Sequence, residues 1–231
     1  MIDAAIFFGA DEKVLFHGSP RRVPQPLLGK GNPHNDYGLG FYCTDSLSLA
    51  SEWACPTPKN GYVNEYRLST EGLKVLDLSN GSFSALHWLA VLLKNRQFET
   101  NLSPMAQARA FLLDQYDVSL EGADIVHGYR ADDSYYTIAR AFLNNMISLS
   151  DLEKALHLGG LGYQTVLMSP KAFEALSFSE AHIALAETWY PKRRSRDAHA
   201  RNCFHEVLEQ SLQNDWLREK RIIDIMREVG C

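Results

Sequence analysis

Two short segments near the N-terminus restrict the fold more than any other feature of the chain. Residues 15–20 read Leu-Phe-His-Gly-Ser-Pro, and residues 36–44 read Asp-Tyr-Gly-Leu-Gly-Phe-Tyr-Cys-Thr. The first segment is an apolar run that ends in a polar edge, and the second is an aromatic strand punctuated by glycines. A strand that stops at a glycine exposes backbone N–H and C=O groups that a flat amide ligand can pair with. The two segments therefore predict a binding site for a planar carboxamide, with tyrosine faces available for stacking.

The rest of the chain alternates single predicted strands with blocks of predicted helices. The patterns predict strands over 14–16, 40–44, 64–68, 73–78, 123–129 and 163–168, and helices over 46–54, 83–95, 104–115, 134–145 and 149–157. Helices that come in blocks between strands favour an α+β fold over a doubly wound parallel sheet. No Pro or Gly occurs between residues 192 and 229, which permits a continuous helix there. We expect one domain over 1–185 and a helical C-terminal extension over 186–231.

Composition and cysteine usage limit the cellular setting. The net charge of −5 argues against a general nucleic-acid binder. The four cysteines, at positions 43, 55, 203 and 231, show no Cys-x-x-Cys spacing, which argues against a zinc site and indicates reduced thiols. No segment approaches the roughly 20 apolar residues of a membrane span, and the N-terminus does not read as a signal peptide. We expect a soluble cytoplasmic protein with no membrane partner.

The paired N-terminal motifs resemble the ADP-ribosyltransferase fold, in its His-Tyr-Glu branch with diphtheria toxin and poly(ADP-ribose) polymerases. The resemblance implies a split β-sheet core with flanking helices, and NAD as the substrate that occupies the site. It implies that His17 bonds the nicotinamide-side ribose and that the Gly18 backbone pairs with the carboxamide. It places Tyr42 and Trp53, eleven residues apart, on opposite faces of the nicotinamide. Two further matched positions, Ser19 and Gly40, complete the implied NAD-binding set.

The third motif of that branch is a glutamate on a late strand, and the matching position is Gln164 on the strand 163–168. Glutamine can bond a ribose hydroxyl but contributes no charge, so a carboxylate from elsewhere is expected to assist. Asp132 and Asp133, just beyond the strand 123–129, are the adjacent carboxylate pair among the matched motifs. Neighbouring carboxylates shift each other's pKa, so one can act as a base while the other stabilises positive charge.

A closer resemblance, over roughly residues 13–178, is to an uncharacterised bacterial family that is considered a divergent, toxin-like ADP-ribosyltransferase. It implies transfer of ADP-ribose from NAD to a protein or nucleic-acid acceptor, and a small antitoxin or other partner held through the C-terminal helix. The sequence does not identify the acceptor, because acceptor choice lies in loops without transferable motifs. Two alternatives to the transferase stay open. The first is an NAD glycohydrolase that uses water as acceptor. The second is a non-catalytic module that binds a nucleotide or a partner.

Overall fold

A computed structural model of the chain describes residues 1–97, 103–131, 133–156, 162–213 and 219–230. It has a mixed α+β architecture with two β-sheets. The strands are β1 (Ile2–Asp3), β2 (Glu12–Ser19), β3 (Phe41–Cys43), β4 (Gly61–Ser69), β5 (Lys74–Asp77), β6 (Ile125–Tyr129), β7 (Tyr163–Leu167) and β8 (Leu176–Ala184). The helices are α1 (Ala4–Phe8), α2 (Leu47–Ala54), α3 (Ala85–Asn95), α4 (Ser103–Gln115), α5 (Asp133–Leu143), α6 (Leu149–Leu156), α7 (Pro170–Glu174), α8 (Ala186–Gln213) and α9 (Ile222–Val229).

The chain divides into two compact units, and each is built from several separate segments. The first comprises Met1–Asn80, Leu120–Gly128 and Gly162–Ser195. The second comprises Gly81–Ser119, Tyr129–Leu161 and Arg196–Cys231. The boundary between residues 185 and 186 that the sequence suggests stays a prediction.

The first unit contains both sheets. The smaller sheet is antiparallel with strand order β2-β4-β8, and its register pairs His17 with Asn64 and Gly18 with Val63. The larger sheet has the order β1-β5-β6-β7-β3, in which β5 and β6 run parallel and β3 and β7 run antiparallel. An isolated bridge, from Phe16 of β2 to Thr44 beyond β3, connects one sheet with the other. The polar end of β2 therefore lies beside the glycine-rich segment that precedes β3.

Two apolar clusters hold the first unit together. One joins β-strand residues of both sheets, with Leu15, Cys43, Leu68, Val75, Ile125 and Leu167 at its centre. The other packs α2 against β4 through Ala50, Ala54, Cys55 and Val63. Helix α2 is capped by Ser46, whose hydroxyl accepts from the Leu49 N–H at 3.2 Å and so satisfies one of the free donors of the first turn.

The second unit is helical in its described residues. Helix α3 contributes an almost wholly buried apolar face, and the ring of Trp88 meets that of Tyr135 edge-on at 4.4 Å. The chain before α9 is anchored by Arg221, which is 5% exposed and donates to the carbonyl oxygens of Asn145 and Met146 at 2.8 and 2.9 Å. A buried guanidinium needs such acceptors, so this segment is held in an extended conformation.

The C-terminal segment differs from the expected continuous helix. Helix α8 covers Ala186–Gln213 of the described residues and takes Pro191 into its interior, whereas residues 219–221 are not helical and α9 begins only at Ile222. The anchoring of Arg221 is the physical reason, because an extended residue at that position cannot continue a helix. The structure also adds β8, which the sequence patterns do not indicate. Within the described part of the chain, no helix combines the length and apolar character that crossing a membrane requires.

Candidate functional site

The first unit carries a cleft of about 440 Å³ at the end of β2 and the segment before β3. Its lining consists of His17, Ser19, Arg21, Val23, Gln25, Pro26, Leu27, Lys30, Gly31, Asn35, Gly40, Phe41 and Tyr42. Four of the six residues that the resemblance assigns to NAD binding thus line one cavity. The loop of residues 20–35, between the two motifs, forms most of the remaining wall. The volume lies in the range of small-molecule sites.

His17 is held in one tautomer by its neighbour on β3. Its Nδ1 lies 2.7 Å from the backbone carbonyl oxygen of Tyr42, so Nδ1 carries the hydrogen and donates. Burial lowers the pKa of the imidazole below its usual value, against the smaller opposing effect of the Tyr42 hydrogen bond. The ring also packs on Phe41, with centroids 4.5 Å apart. A neutral imidazole with Nδ1 engaged presents Nε2 as an acceptor, which suits a ligand hydroxyl.

Gly18 combines tight packing with a free strand edge. Phe16 exchanges both backbone hydrogen bonds with Thr44, at 2.8 and 2.9 Å. Backbone groups of alternate residues point to the same edge of a strand, so Gly18 directs its N–H and C=O to that edge as well. The pairing with the β3 side is an isolated bridge and does not extend to Gly18. Gly18 is absent from the described lining of the cleft, and the pairing of its backbone with a carboxamide stays a prediction.

Gly18 packs directly on α2 with the face from which any other residue would project its Cβ. A Cβ there would overlap the Ala50 carbonyl oxygen and lie 2.7 Å from both the Ala54 nitrogen and the Trp53 Cβ. Since successive residues of a strand point to opposite faces, Trp53 approaches β2 from the side opposite to the His17 ring. Trp53 is absent from the described lining of the cleft, and its stacking role stays a prediction.

Asn64 organises the loop that forms the wall of the cleft. Its side chain is 0% exposed, and its Oδ1 accepts from the Val23 N–H at 2.7 Å. Its Nδ2 donates to the carbonyl oxygens of His17 and Arg21, at 3.2 and 3.3 Å. A single amide on the central strand β4 therefore fixes the chain as it leaves β2. The hydroxyl of Tyr66 adds a short hydrogen bond to the Val23 carbonyl.

Tyr42 fixes the glycine-rich segment on the other side of the cleft. Its hydroxyl donates to the Gly38 carbonyl at 2.7 Å and accepts from the Tyr37 N–H at 3.0 Å. Gly40 lies so close to β7 that a Cβ would come within 2.5 Å of the Val166 Cγ1. Tyr42 pairs with Val166 in the β3–β7 register, which puts both side chains on one face of the larger sheet.

Gln164 lies on the same face of β7 as Val166, because the two are two positions apart on the strand. Its Nε2 donates to the Asp36 Oδ2 at 2.8 Å, and both residues are only 4% exposed. The sequence interpretation assigned no role to Asp36, the first residue of the second motif. The only signal was its position directly before Tyr37, since the contact with Gln164 spans 128 residues.

The predicted carboxylate pair cannot be placed against the cleft. Asp132 lies outside the described residues, and so does the side chain of Asp133, whose backbone begins α5. Their predicted catalytic role stays a prediction. Asp36 is a described carboxylate that contacts the third-motif position, through its hydrogen bond from Gln164.

Positive charge in the cleft comes from Arg21 and Lys30. No ion pair among the described residues engages either side chain. The backbone N–H of Arg21 donates to the Ser19 hydroxyl at 3.3 Å, which holds the backbone of Arg21 at the end of β2. Two cations beside neutral His17 make the cleft suited to an anionic ligand that also carries hydroxyl groups.

In the described chain, one group of side chains has the spacing of metal ligands, and none of its members lines this cleft. Glu65, Glu180 and His182 have ligand atoms within 4.8 Å of one another. His182 Nε2 lies 3.4 Å from Glu180 and 3.9 Å from Glu65, so a protonated imidazole can balance both carboxylates. The group therefore has an ordinary explanation as a surface ion-pair network.

Comparisons with known proteins give one match. Residues 13–178 match a protein family described as a protein of unknown function, DUF3990. Neither the curated proteins nor the solved structures contain a match. The matched range begins within β2 and ends within β8, so it takes in both motifs, the cleft and Gln164. Because this range covers more than half of the 231 residues, the chain belongs to the DUF3990 family.

Proposed function

We propose that the cleft binds NAD and that the protein is an NAD-dependent ADP-ribosyltransferase acting on a protein or nucleic-acid acceptor. The observation that carries the proposal is the meeting of the two motifs in one cavity, with His17, Ser19, Gly40 and Tyr42 all in its lining. The bridge between the edges of the two sheets is consistent with a split-sheet core of this kind. A toxin-like role, with a small antitoxin bound through the C-terminal helix, follows from the resemblance alone.

Different residues at the cleft match the carboxamide, the ribose and the diphosphate of NAD. The edge of β2 at Gly18 would offer one N–H and one C=O to the carboxamide, and the resemblance assigns the two faces of the nicotinamide to Tyr42 and Trp53. Nε2 of neutral His17 accepts from a ribose hydroxyl. Arg21 and Lys30 provide the positive charge that a diphosphate requires.

The bond that breaks is the one between nicotinamide nitrogen and ribose carbon. Its electron pair leaves with nicotinamide, so positive charge develops on the ribose. A clamp that fits the twisted nicotinamide better in this state than in the ground state lowers the barrier. The acceptor then forms a bond to the ribose carbon and gives up its proton. Charge stabilisation at such a site is worth about 2.7–4 kcal/mol, or roughly 10²–10³ in rate.

A second candidate is a module that binds NAD without turnover. The observation in its favour is Gln164, a neutral side chain at the position where the resembling branch carries a glutamate. The clamp residues would serve such a module equally well, so only a measurement of turnover separates the two candidates. An NAD glycohydrolase differs from the transferase in its acceptor, water.

The test is incubation of the full chain with NAD labelled in the adenylate part, in the presence of cell lysate. Labelled macromolecule supports the transferase, free ADP-ribose with nicotinamide supports the glycohydrolase, and binding without products supports the module. We expect His17→Ala to abolish NAD binding or turnover. His205→Ala, at an exposed histidine of α8, is the matched control. Wild-type NAD binding and turnover in a folded His17→Ala variant would refute the assignment of this cleft.

A further inference from the structure

Three potential metal ligands converge on one face of the smaller sheet. Glu65 belongs to β4, and Glu180 and His182 belong to the neighbouring edge strand β8. One ligand atom from each side chain lies within 4.8 Å of those from the other two. The His182 Nε2 is 3.4 Å from a Glu180 carboxylate oxygen and 3.9 Å from a Glu65 carboxylate oxygen. Two ligands bound to one ion at about 2.0–2.2 Å are separated by roughly 3–3.6 Å, so small side-chain rotations would bring all three atoms onto one cation.

A β-bulge puts these side chains on the same face. Glu65 pairs with Glu180, but the register shifts by one residue immediately beyond Glu65, so Ser179 is an extra residue of β8. His182 is two positions from Glu180 and therefore projects from the same side of the strand. Without the extra residue, Ser179 would oppose Glu65, and the other two ligands would lie on the opposite face of the sheet. Bulges that redirect side chains in this way are frequent beside functional sites.

The two carboxylates have too little positive charge beside them. Carboxylates that lie directly opposite each other on paired strands repel. Among the described residues, His182 is the only group within ion-pair distance of either carboxylate. Arg67, two positions along β4, forms its ion pair with Glu12 at 2.7 Å.

The ion pairs within the group depend on the protonation of one ring. A protonated imidazole carries one positive charge against the two negative charges, and a neutral imidazole carries none. The side chain of Glu65 is only 19% exposed, so water screens the repulsion between the carboxylates incompletely. A divalent cation would supply both of the positive charges that the group requires.

We propose that Glu65, Glu180 and His182 bind a divalent transition-metal cation, for which Zn²⁺ is the probe. Imidazole nitrogen and carboxylate oxygen are both ligands of Zn²⁺ in proteins, and three protein ligands leave a position for water. Because the ligands come from two strands, the ion cross-links β4 to the edge strand β8. None of the three residues lines the cleft, so the site is independent of the proposed function.

The experiment is a calorimetric titration of the metal-free full chain with ZnCl₂, together with thermal midpoints measured with and without the ion. We expect the wild type to bind Zn²⁺ at this group and its thermal midpoint to rise with ZnCl₂. The affinity should fall from pH 7.5 to pH 5.5, because a protonated imidazole cannot bind a metal. His182→Gln and Glu180→Gln should each weaken the affinity at least about tenfold, the smallest cost usual for residues that only support a ligand.

Glu65→Gln distinguishes a metal ligand from a merely structural residue. The substitution removes one of the two repelling charges, so the metal-free variant should keep or exceed the wild-type thermal midpoint at pH 7.5. The rise of the thermal midpoint with ZnCl₂ should nevertheless be lost. Unchanged zinc affinity in this variant would overturn the proposal, whatever the metal-free midpoint.

The matched control is a second pair of potential zinc ligands. On α8 the His199 Nε2 lies 3.6 Å from the Cys203 Sγ. His199→Gln makes the same chemical change as His182→Gln and should bind Zn²⁺ as the wild type does. If His199→Gln loses the zinc affinity while a folded His182→Gln keeps it, the ion binds on α8 and the proposal is refuted.

A wild type that shows neither binding heat nor a higher thermal midpoint in millimolar ZnCl₂ would also refute the proposal. The group would then be an ion-pair network only. NAD is absent from every one of these measurements, so no outcome changes the standing of the proposed function, which is tested by its own products.

Discussion

Replacing Asn64 by Asp changes one NH₂ group into an oxygen and leaves the shape of the side chain intact. The Val23 N–H keeps its acceptor, because Oδ1 is unchanged. The carbonyl oxygens of His17 and Arg21 each lose the hydrogen bond from Nδ2 and face a carboxylate oxygen instead. Since Asn64 is fully buried, neither carbonyl can easily bond water in compensation.

The expected decrease in the free energy of unfolding follows from these contacts. Two lost hydrogen bonds cost about 2 kcal/mol. A buried carboxylate that faces two carbonyls, with no cation bonded to it, raises the total to about 3–5 kcal/mol. For a chain of this size, 1 kcal/mol corresponds to about 2–4 °C, so the thermal midpoint should fall by roughly 6–20 °C. Burial raises the pKa of the new carboxyl in the folded state, so the penalty is small at acidic pH and grows as the pH rises through that pKa.

The assay is thermal unfolding followed by circular dichroism at pH 5, 7 and 8, combined with limited proteolysis of the loop 20–35. Asn202→Asp, on the exposed surface of α8, makes the same chemical change without the contacts and should behave as wild type. The role of Asn64 is refuted if Asn64→Asp has the same thermal midpoint as Asn202→Asp at pH 8, or if its thermal midpoint falls furthest below that of the wild type at pH 5.

Two further perturbations follow from the packing of β2 and from buried histidines. Gly18→Ala forces a Cβ into a backbone carbonyl of α2, so the free energy of unfolding measured in urea should fall by about 3 kcal/mol. The control is Gly81→Ala, whose Cβ meets nothing within 4 Å, and this variant should be neutral or slightly stabilising. Equal stability of the two variants would contradict the packing of Gly18 on α2. Burial lowers the pKa of His17, His87 and His127, so the unfolded chain takes up protons that the folded chain does not, and the free energy of unfolding should decrease as the pH falls below about 6.5. His17→Gln should lose less stability than wild type between pH 7.5 and 5.5, and an equal loss would count against the buried, neutral state of this ring.

Local sequence patterns were sufficient for the fold class and for most elements. Strands β2, β3 and β7 and helices α2, α3 and α4 lie where apolar periodicity and turn residues predict them, because those signals act over a few residues. Strand β8 was missed, since alternate exposed and half-buried positions on an edge strand give a weak pattern. The break between α8 and α9 was missed because it depends on Arg221 reaching carbonyl groups of Asn145 and Met146, 75 or more residues away.

The same distinction applies to the site. The sequence alone indicated that His17, Ser19, Gly40 and Tyr42 belong together, because short motifs encode a strand end and a glycine-rich turn. It did not indicate the roles of Asn64 and Asp36, whose partners lie as far as 47 and 128 residues away. A buried polar group must find its partner wherever the fold brings one, and that meeting depends on strand register and loop path. The motifs therefore indicated four residues of the cleft, and the tertiary structure decided the rest of its wall and which buried side chains hold it in place.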